Sequence, residues 1–124
     1  MKEVTTILIV LILVVTGNVI TEKYMSKSSE HLISDIGDLK KSLKEGIDNS
    51  QKMEKIYKDW ESTRTKWSML AEHKHLDEVD LNLLSAKTSI EEDEKATAAE
   101  GLDKAIFLLN DIKDKYSLKL INVF

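Results

Sequence analysis

The sequence predicts an all-α protein. An N-terminal transmembrane helix can continue into a long amphipathic helix, and a small antiparallel bundle of three further helices follows. The 124 residues contain no proline and only four glycines, which favours long uninterrupted helices over strands and turns. Residues 4–20 carry no charge, and the later apolar positions recur with a period of about 3.6 residues.

The charge-free stretch Val4–Ile20 predicts a membrane anchor. As a helix it would rise about 25 Å, the lower limit for crossing a hydrocarbon core about 30 Å thick. A core helix is disfavoured because the aliphatic run 7–15 leaves no polar face. A cleaved secretory signal remains open, although the residues around Gly17 form only a poor cleavage site. The predicted anchor residues are Val4, Ile7, Leu8, Ile9, Val10, Leu11, Ile12, Leu13, Val14, Val15 and Ile20.

The chain is predicted to divide into a transmembrane anchor, residues 1–20, and a helical domain, residues 21–124. Lys2 precedes the anchor and Lys23 and Lys27 follow it, so the positive-inside rule decides little. A short N-terminal tail directly before the apolar run is typical of a signal-anchor that leaves the tail in the cytoplasm. We therefore expect a single-pass protein of the cell membrane whose C-terminal domain is extracytoplasmic.

The first helix beyond the anchor carries a narrow apolar seam of the coiled-coil type, and Gly46 predicts its end. Such a seam can pack against a partner protein or a second copy of the chain. Its residues are Leu32, Ile36, Leu39 and Leu43.

Three more helices are predicted from the apolar periodicity. The second spans about residues 50–73, and the third begins near Asp77, whose side chain could cap it. The acidic run 91–94 suits the N-terminus of the fourth helix and predicts a turn before it. The apolar tail, residues 118–124, is predicted to dock on the bundle.

Trp60 and Trp67 lie seven residues apart on one face of the second helix, with Tyr57 one turn earlier. Two tryptophans at this spacing in a small helical domain favour core packing. An exposed stripe could instead stack on sugar rings or a quaternary ammonium group, or contact a partner protein.

Arg64, the only arginine in the chain, lies between these tryptophans. Its guanidinium could form a forked bond with Glu61, Asp80 or a helix-terminal carbonyl. Alternatively, its stem covers the indoles while its head stays in water, and the sequence does not separate the two arrangements.

His73 and His75 are weak candidates for metal ligands. Two histidines two residues apart do not share a helix face, so a polar loop between helices is the preferred interpretation. The chain contains no phosphate-binding loop, nucleophile elbow or metalloprotease motif, so we expect neither an enzyme nor a cofactor. A net charge of −4 counts against binding nucleic acid.

The order of several elements resembles the domain of unknown function 4363 family, short single-pass proteins of clostridial-type Gram-positive bacteria. These elements are the apolar anchor, Trp60 with Lys66-Trp67, His75-x-x-x-Val79-Asp80, a helix ending near Asp93, and the terminus Asn122-Val123-Phe124. The resemblance implies a membrane-anchored, largely helical protein without an assigned activity. It also implies an accessory role beside a membrane protein, and it brings no catalytic residues.

Taken together, these features predict a non-enzymatic, membrane-anchored helical module. Its expected partners are the lipid bilayer and either another protein, most simply a membrane protein, or a second copy of the chain. The alternative is an extracytoplasmic domain that binds a small ligand between Tyr57, Trp60 and Trp67.

Overall fold

The computed structural model describes residues 1–46 and 49–123, apart from the side chains of residues 18, 21, 22 and 116–123. Within these residues the chain forms four α-helices: α1, Lys2–Lys44; α2, Ser50–Trp67; α3, His73–Glu91; and α4, Lys95–Val123. The described residues contain no strand, and the prediction of an all-α protein is confirmed.

Helix α1 is a single helix of 43 residues, about 64 Å long. The prediction that the apolar stretch and the amphipathic helix form one continuous rod is confirmed. The helix ends where predicted: Gly46 has a φ of +74°, and its amide donates to the carbonyl of Leu43 over 3.3 Å. Glycine adopts this left-handed conformation without the steric cost that a Cβ would add.

The C-terminal half of α1 lies antiparallel to α4. Near one end of the pair, the Ser29 hydroxyl donates to the carbonyl of Leu109 over 3.2 Å. Near the other end, Lys40 Nζ lies 2.6 Å from a carboxylate oxygen of Asp103. Residue numbers therefore rise along α1 as they fall along α4.

Helix α2 also runs antiparallel to α1, because Lys52 donates to Ser42 and Lys66 lies over the ring of Tyr24. Each helix of the described chain packs against two others, in the order α1–α2–α3–α4 and back to α1. We call the end of this bundle from which the N-terminal half of α1 projects the near end. The opposite end, at Gly46 and Asp93, is the far end.

One continuous apolar core joins the four helices. Within the described side chains, Met25 is the first residue of α1 in this core, and Tyr24, one residue earlier, lies against Lys66 of α2. The core residues are Met25, Leu32, Ile36, Leu39, Leu43, Met53, Ile56, Trp60, Trp67, Ala71, Leu76, Val79, Leu83, Ala86, Ala98, Leu102, Ala105, Leu109 and Ile112.

Helices α3 and α4 approach each other closely at Gly101. A Cβ atom built on this glycine would lie 3.0 Å from the backbone oxygen of Asn82 and 3.3 Å from the Cβ of Ala86. The small residues Ala98 and Ala105 flank this contact on the same helix. Close backbone approach thus depends on the absence of a side chain at position 101.

The turn between α2 and α3 lies at a different position from the one predicted. Helix α2 ends at Trp67, six residues before the predicted end at 73, and α3 begins at His73 rather than near Asp77. The amides of Leu70 and Ala71 both bond to the carbonyl of Trp67 over 2.8 Å, which closes the turn early. The interpretation of His73 and His75 as loop residues is therefore wrong, because both belong to the first turn of α3.

Asp77 is not a cap, because Glu72 precedes the first turn of α3. The acidic turn is confirmed: α3 ends at Glu91, α4 begins at Lys95, and Asp93 has a φ of +58°. The predicted docking of the tail, residues 118–124, concerns side chains that lie outside the described residues.

Candidate functional site

The N-terminal half of α1 is a helix whose apolar side chains are exposed on every face. From Val4 to Ile20, the large apolar side chains whose burial is described are between 42% and 66% exposed. All the residues predicted to form an anchor belong to this group. We call residues 4–20 the apolar segment. Over the described residues, no helix is at once long enough and apolar enough to cross a membrane.

Two polar side chains at the start of the apolar segment are satisfied by the helix itself. The Thr5 hydroxyl donates to the carbonyl of Met1 over 3.2 Å, and the Thr6 hydroxyl donates to that of Lys2 over 2.9 Å. Such i to i−4 bonds let a threonine enter an apolar environment without leaving its donor unpaired. The polar groups of Thr5 and Thr6 are therefore compatible with an apolar surrounding.

The two tryptophans lie in the core of the bundle, as the sequence favours. Both are 0% exposed, and their rings meet edge to face, with centroids 5.8 Å apart and planes at 86°. Such a contact adds about 0.5–1.5 kcal/mol beyond the burial of area. Of the three aromatic residues proposed to line a ligand cleft, Tyr57 alone keeps some exposure, so no such cleft lies between them here.

Arg64 bridges two carboxylates on α3. Its Nη2 lies 2.6 Å from a carboxylate oxygen of Asp77, and its Nε lies 2.8 Å from Oδ2 of Asp80. The other oxygen of Asp80 accepts the indole N–H of Trp60 over 2.5 Å. The bridge to Asp80 is one of the two arrangements that the sequence leaves open, whereas the partnership with Asp77 was not expected.

This network also acts on Tyr57, one turn before Trp60. Burial raises the pKa of the Tyr57 phenol above its ordinary value, and the carboxylates of Glu61 and Asp80 raise it further. Lys87 lies over the same ring, with Nζ 5.2 Å from the centroid. The arrangement joins α2 to α3 through a hydrogen bond and two ion pairs.

The apolar seam of α1 packs inside the chain's own bundle. All four of its side chains are buried in the core, against the helices that α1 contacts, α2 and α4. The expectation that this seam could receive a partner or a second copy is therefore corrected, because its surface is already covered. The residues concerned are Leu32, Ile36, Leu39 and Leu43.

The structure brings together a set of potential metal ligands that the sequence did not suggest. One donor atom each from His31, Asp35 and Asp59 lies within 4.8 Å of the others. The i, i+4 spacing of His31 and Asp35 was a visible signal, whereas Asp59 reaches them only because α2 packs on α1. Lys27 and Lys66 line the groove between α1 and α2 in which His31 and Asp59 lie, and their positive charges oppose the binding of a cation.

The weak metal-ligand candidates His73 and His75 do not lie together with further potential ligands among the described residues. His73 is exposed at the start of α3, whereas His75 is half-buried, with Nε2 3.7 Å from Glu72 and 3.4 Å from Lys115 Nζ. Neither histidine belongs to a group of three potential ligands among the described residues.

A shallow groove of about 420 Å³ lies between α3 and α4 on the outside of the bundle. Phe107 stands at this groove with 71% of its side chain exposed, beside the half-buried Leu108. The polar side chains that line it are Glu78, Asn82, Asp103 and Lys104. This groove combines an exposed aromatic ring, a residue type enriched in protein interfaces, with polar side chains of both charges.

Comparison with known proteins gives one match. A family model described as "Domain of unknown function (DUF4363)" matches residues 19–123, which covers the bundle and leaves residues 1–18 outside. No curated protein and no solved structure matches the chain.

Proposed function

This chain belongs to the DUF4363 family, a domain of unknown function, and we propose that it is a membrane-anchored, non-enzymatic helical module that serves another membrane protein as an accessory or interaction partner. The observation that carries the proposal is the exposure of the apolar segment on all faces of α1. The bundle presents a surface to a partner, and the segment holds it at the bilayer.

Lipid is the environment that suits the apolar segment. The nine aliphatic residues 7–15 are all exposed, and each would gain about 1.5–3 kcal/mol on leaving water, or roughly 15–25 kcal/mol together. A protein partner covers one face of a helix, whereas lipid covers every face. Since the exposed side chains point in all directions, a bilayer satisfies them and a single partner surface does not.

A charge in the apolar segment tests the anchor. Leu11→Arg would place a guanidinium at the middle of the segment, at a cost of about 2.5–3.5 kcal/mol for insertion. Leu81→Arg is the matched control, because Leu81 is exposed on α3 far from the segment. We expect alkaline extraction of membranes to release a larger fraction of the Leu11 variant than of the control or the unaltered chain. Equal release of both variants would contradict the proposed anchor.

The proposed orientation places the bundle outside the cytoplasm and keeps the segment uncleaved. Because the chain has no cysteine, Glu92→Cys creates one labelling site at the far end. A membrane-impermeant maleimide added to intact cells should label this variant at the mobility of the full-length chain. Labelling that requires lysed cells would place the bundle in the cytoplasm, and a labelled chain shortened by the apolar segment would mean cleavage.

The groove between α3 and α4 supports the accessory role, because Phe107 is the exposed aromatic residue beside it. A photocrosslinking amino acid at position 107 should give one discrete heavier product in native membranes. The same group at Glu61, an exposed position on α2, is the control and should give none. Absence of a discrete product at position 107 would remove this groove as the partner surface.

A further inference from the structure

We propose that the α2–α3 loop, Ser68–Glu72, is a second membrane-contact site, which rests its apolar side chains on the anionic lipid surface of the bilayer that holds α1. This inference builds on the proposed anchor and adds a fixed docking of the bundle on the lipid headgroups. It concerns a loop to which the function proposed above gives no role.

The loop exposes apolar side chains where a turn between helices ordinarily carries polar ones. Met69 is 88% exposed and Leu70 is 42% exposed. At the far end, the turn between α3 and α4 is Glu92-Asp93-Glu94. The two ends of the bundle therefore differ in character, and the apolar one is the end from which the apolar segment projects.

The loop lies at the level where the apolar segment ends. Lys66 Nζ lies 6.0 Å from the centroid of the Tyr24 ring, which places the last turn of α2 beside residue 24 of α1. Met69 follows three residues later, or about 4–5 Å further toward the N-terminus of α1. Residue 69 is thus level with about residue 21, next to Ile20, the last residue of the charge-free stretch.

Basic side chains surround the loop. Five exposed lysines lie at the near end, Lys23, Lys27, Lys66, Lys74 and Lys115. Of the acidic groups there, Glu72 faces His75 at 3.7 Å, Asp77 pairs with Arg64 and Glu30 pairs with Lys113. Asp114 is a further exposed acid at this end. With Glu22 of the sequence also counted, and with Arg64 shared between Asp77 and Asp80, a small excess of positive charge remains at this end. Such an excess suits the phosphate groups of anionic lipids, to which each nearby lysine contributes about 1 kcal/mol.

These features specify lipid rather than a protein pocket. Two flexible apolar side chains on a short loop can enter the headgroup region by a few ångströms, as shallow membrane contacts do. The lysines then meet the phosphates, and the length of α1 fixes the height of the loop above the hydrocarbon core. The bundle would stand directly on the bilayer and not swing on a free linker.

Single-cysteine variants of the full chain test the contact, because the sequence contains no cysteine. Met69→Cys, Glu92→Cys and Leu11→Cys are each labelled with an environment-sensitive fluorophore and reconstituted into vesicles of phosphatidylcholine and phosphatidylglycerol. Spin-labelled lipids then report depth. We expect shallow quenching at position 69, deep quenching at position 11 and none at position 92.

The outcomes separate the two proposals. Deep quenching at position 11 with a water-like signal at position 69 overturns the loop contact and leaves the anchor intact. No quenching at position 11 overturns the anchor. If position 69 is shielded in native membranes and water-like in pure lipid vesicles, the loop faces a protein, and the lipid contact is wrong.

A charge variant tests the lipid chemistry. Lys74→Gln should lower the ratio of docked to undocked loop, read at position 69, about fivefold in anionic vesicles. Lys44→Gln, an exposed lysine at the end of α1 at the far end, is the matched control and should leave it unchanged. An equal effect of both variants, or none of Lys74→Gln, would overturn the role of the anionic headgroups.

Discussion

At the scale of single residues, Asp80 organises the contact between α2 and α3. One of its oxygens accepts the indole N–H of Trp60, and the other pairs with Arg64. The second tryptophan, Trp67, is equally buried, but its indole N–H has no hydrogen-bond partner among the described residues. Two identical side chains in one core therefore differ in whether their polar atom is satisfied.

This difference predicts unequal effects of replacing the two tryptophans by phenylalanine. Trp60→Phe removes a hydrogen bond to a charged group, worth about 1.5–3 kcal/mol, whereas Trp67→Phe removes an unpaired donor. Both variants lose similar ring volume. We expect Trp60→Phe to lower the free energy of unfolding by about 1–3 kcal/mol more than Trp67→Phe does, as measured by denaturant titration in micelles. Equal losses would show that the bond to Asp80 contributes nothing.

Tyr57 predicts a loss of stability in alkali. Burial raises its pKa in the folded chain, so the phenol of the unfolded chain ionises first, at its ordinary value of 10.0. The stabilisation is complete below that pH and is lost as the pH rises through the higher pKa of the folded chain. We expect the unfolding midpoint of the unaltered chain to fall more steeply than that of Tyr57→Phe as the pH rises above about 10. Parallel curves would contradict the prediction.

Part of this residue-level detail could be predicted from the sequence. The burial of Trp60 and Trp67 follows from their heptad spacing, and Asp80 was among the candidate partners of Arg64. The pairing with Asp77 was missed because that residue was expected to begin α3. As a helix cap, Asp77 would use its carboxylate on the backbone of α3. In the structure it lies one turn inside α3 and pairs with Arg64 of α2 instead.

At the scale of elements, the existence of four helices could be predicted from the sequence, but the position of the turn between α2 and α3 could not. The acidic turn after α3 and the stop at Gly46 carry local signals. The turn Ser68–Glu72 contains neither glycine nor proline, so local propensity allows a helix through it. Core packing on either side of the turn, at Trp67 and at Leu76, sets where the chain reverses.

Two helical glycines predict opposite responses to alanine. Gly37 lies inside α1, and a Cβ atom added there would meet nothing within 4 Å, so Gly37→Ala should stabilise the fold by about 0.5–1 kcal/mol. Gly101→Ala would place its Cβ 3.0 Å from the oxygen of Asn82, and forcing α3 and α4 apart should cost more than the helix gains. Thermal unfolding of both variants checks this. A rise in the midpoint for Gly101→Ala would contradict the close approach of α3 and α4.

At the scale of the whole molecule, the bundle and the apolar segment are structurally separate although one helix belongs to both. Among the described side chains, the contribution of α1 to the core starts at Met25. Sequence periodicity identified the seam of α1 but could not tell whether its partner was the same chain or another. Whether the seam packs within its own chain depends on whether α4 folds back along α1. The hydrogen bond from the Ser29 hydroxyl to the Leu109 carbonyl shows that it does.

Removal of residues 2–17 should therefore leave the bundle folded. The deleted residues contribute no side chain to the core, so the denaturant midpoint of the shortened chain should match that of the full chain. Circular dichroism should lose only the helical signal of the deleted residues. A large drop in the midpoint would mean that the apolar segment packs on the bundle.

Because α1 is continuous, a rotation of the apolar segment also rotates the bundle. No break in the backbone separates residue 20 from the bundle, so the segment and the four helices turn together. From Tyr24 to Leu43 the bundle stands about 30 Å high. If the apolar segment spans a bilayer as proposed above, a tilt of about 20°, ordinary for a membrane helix, would carry the far end sideways by about 10 Å. A change in bilayer thickness that alters the tilt would thus become a displacement of Gly46 and Asp93.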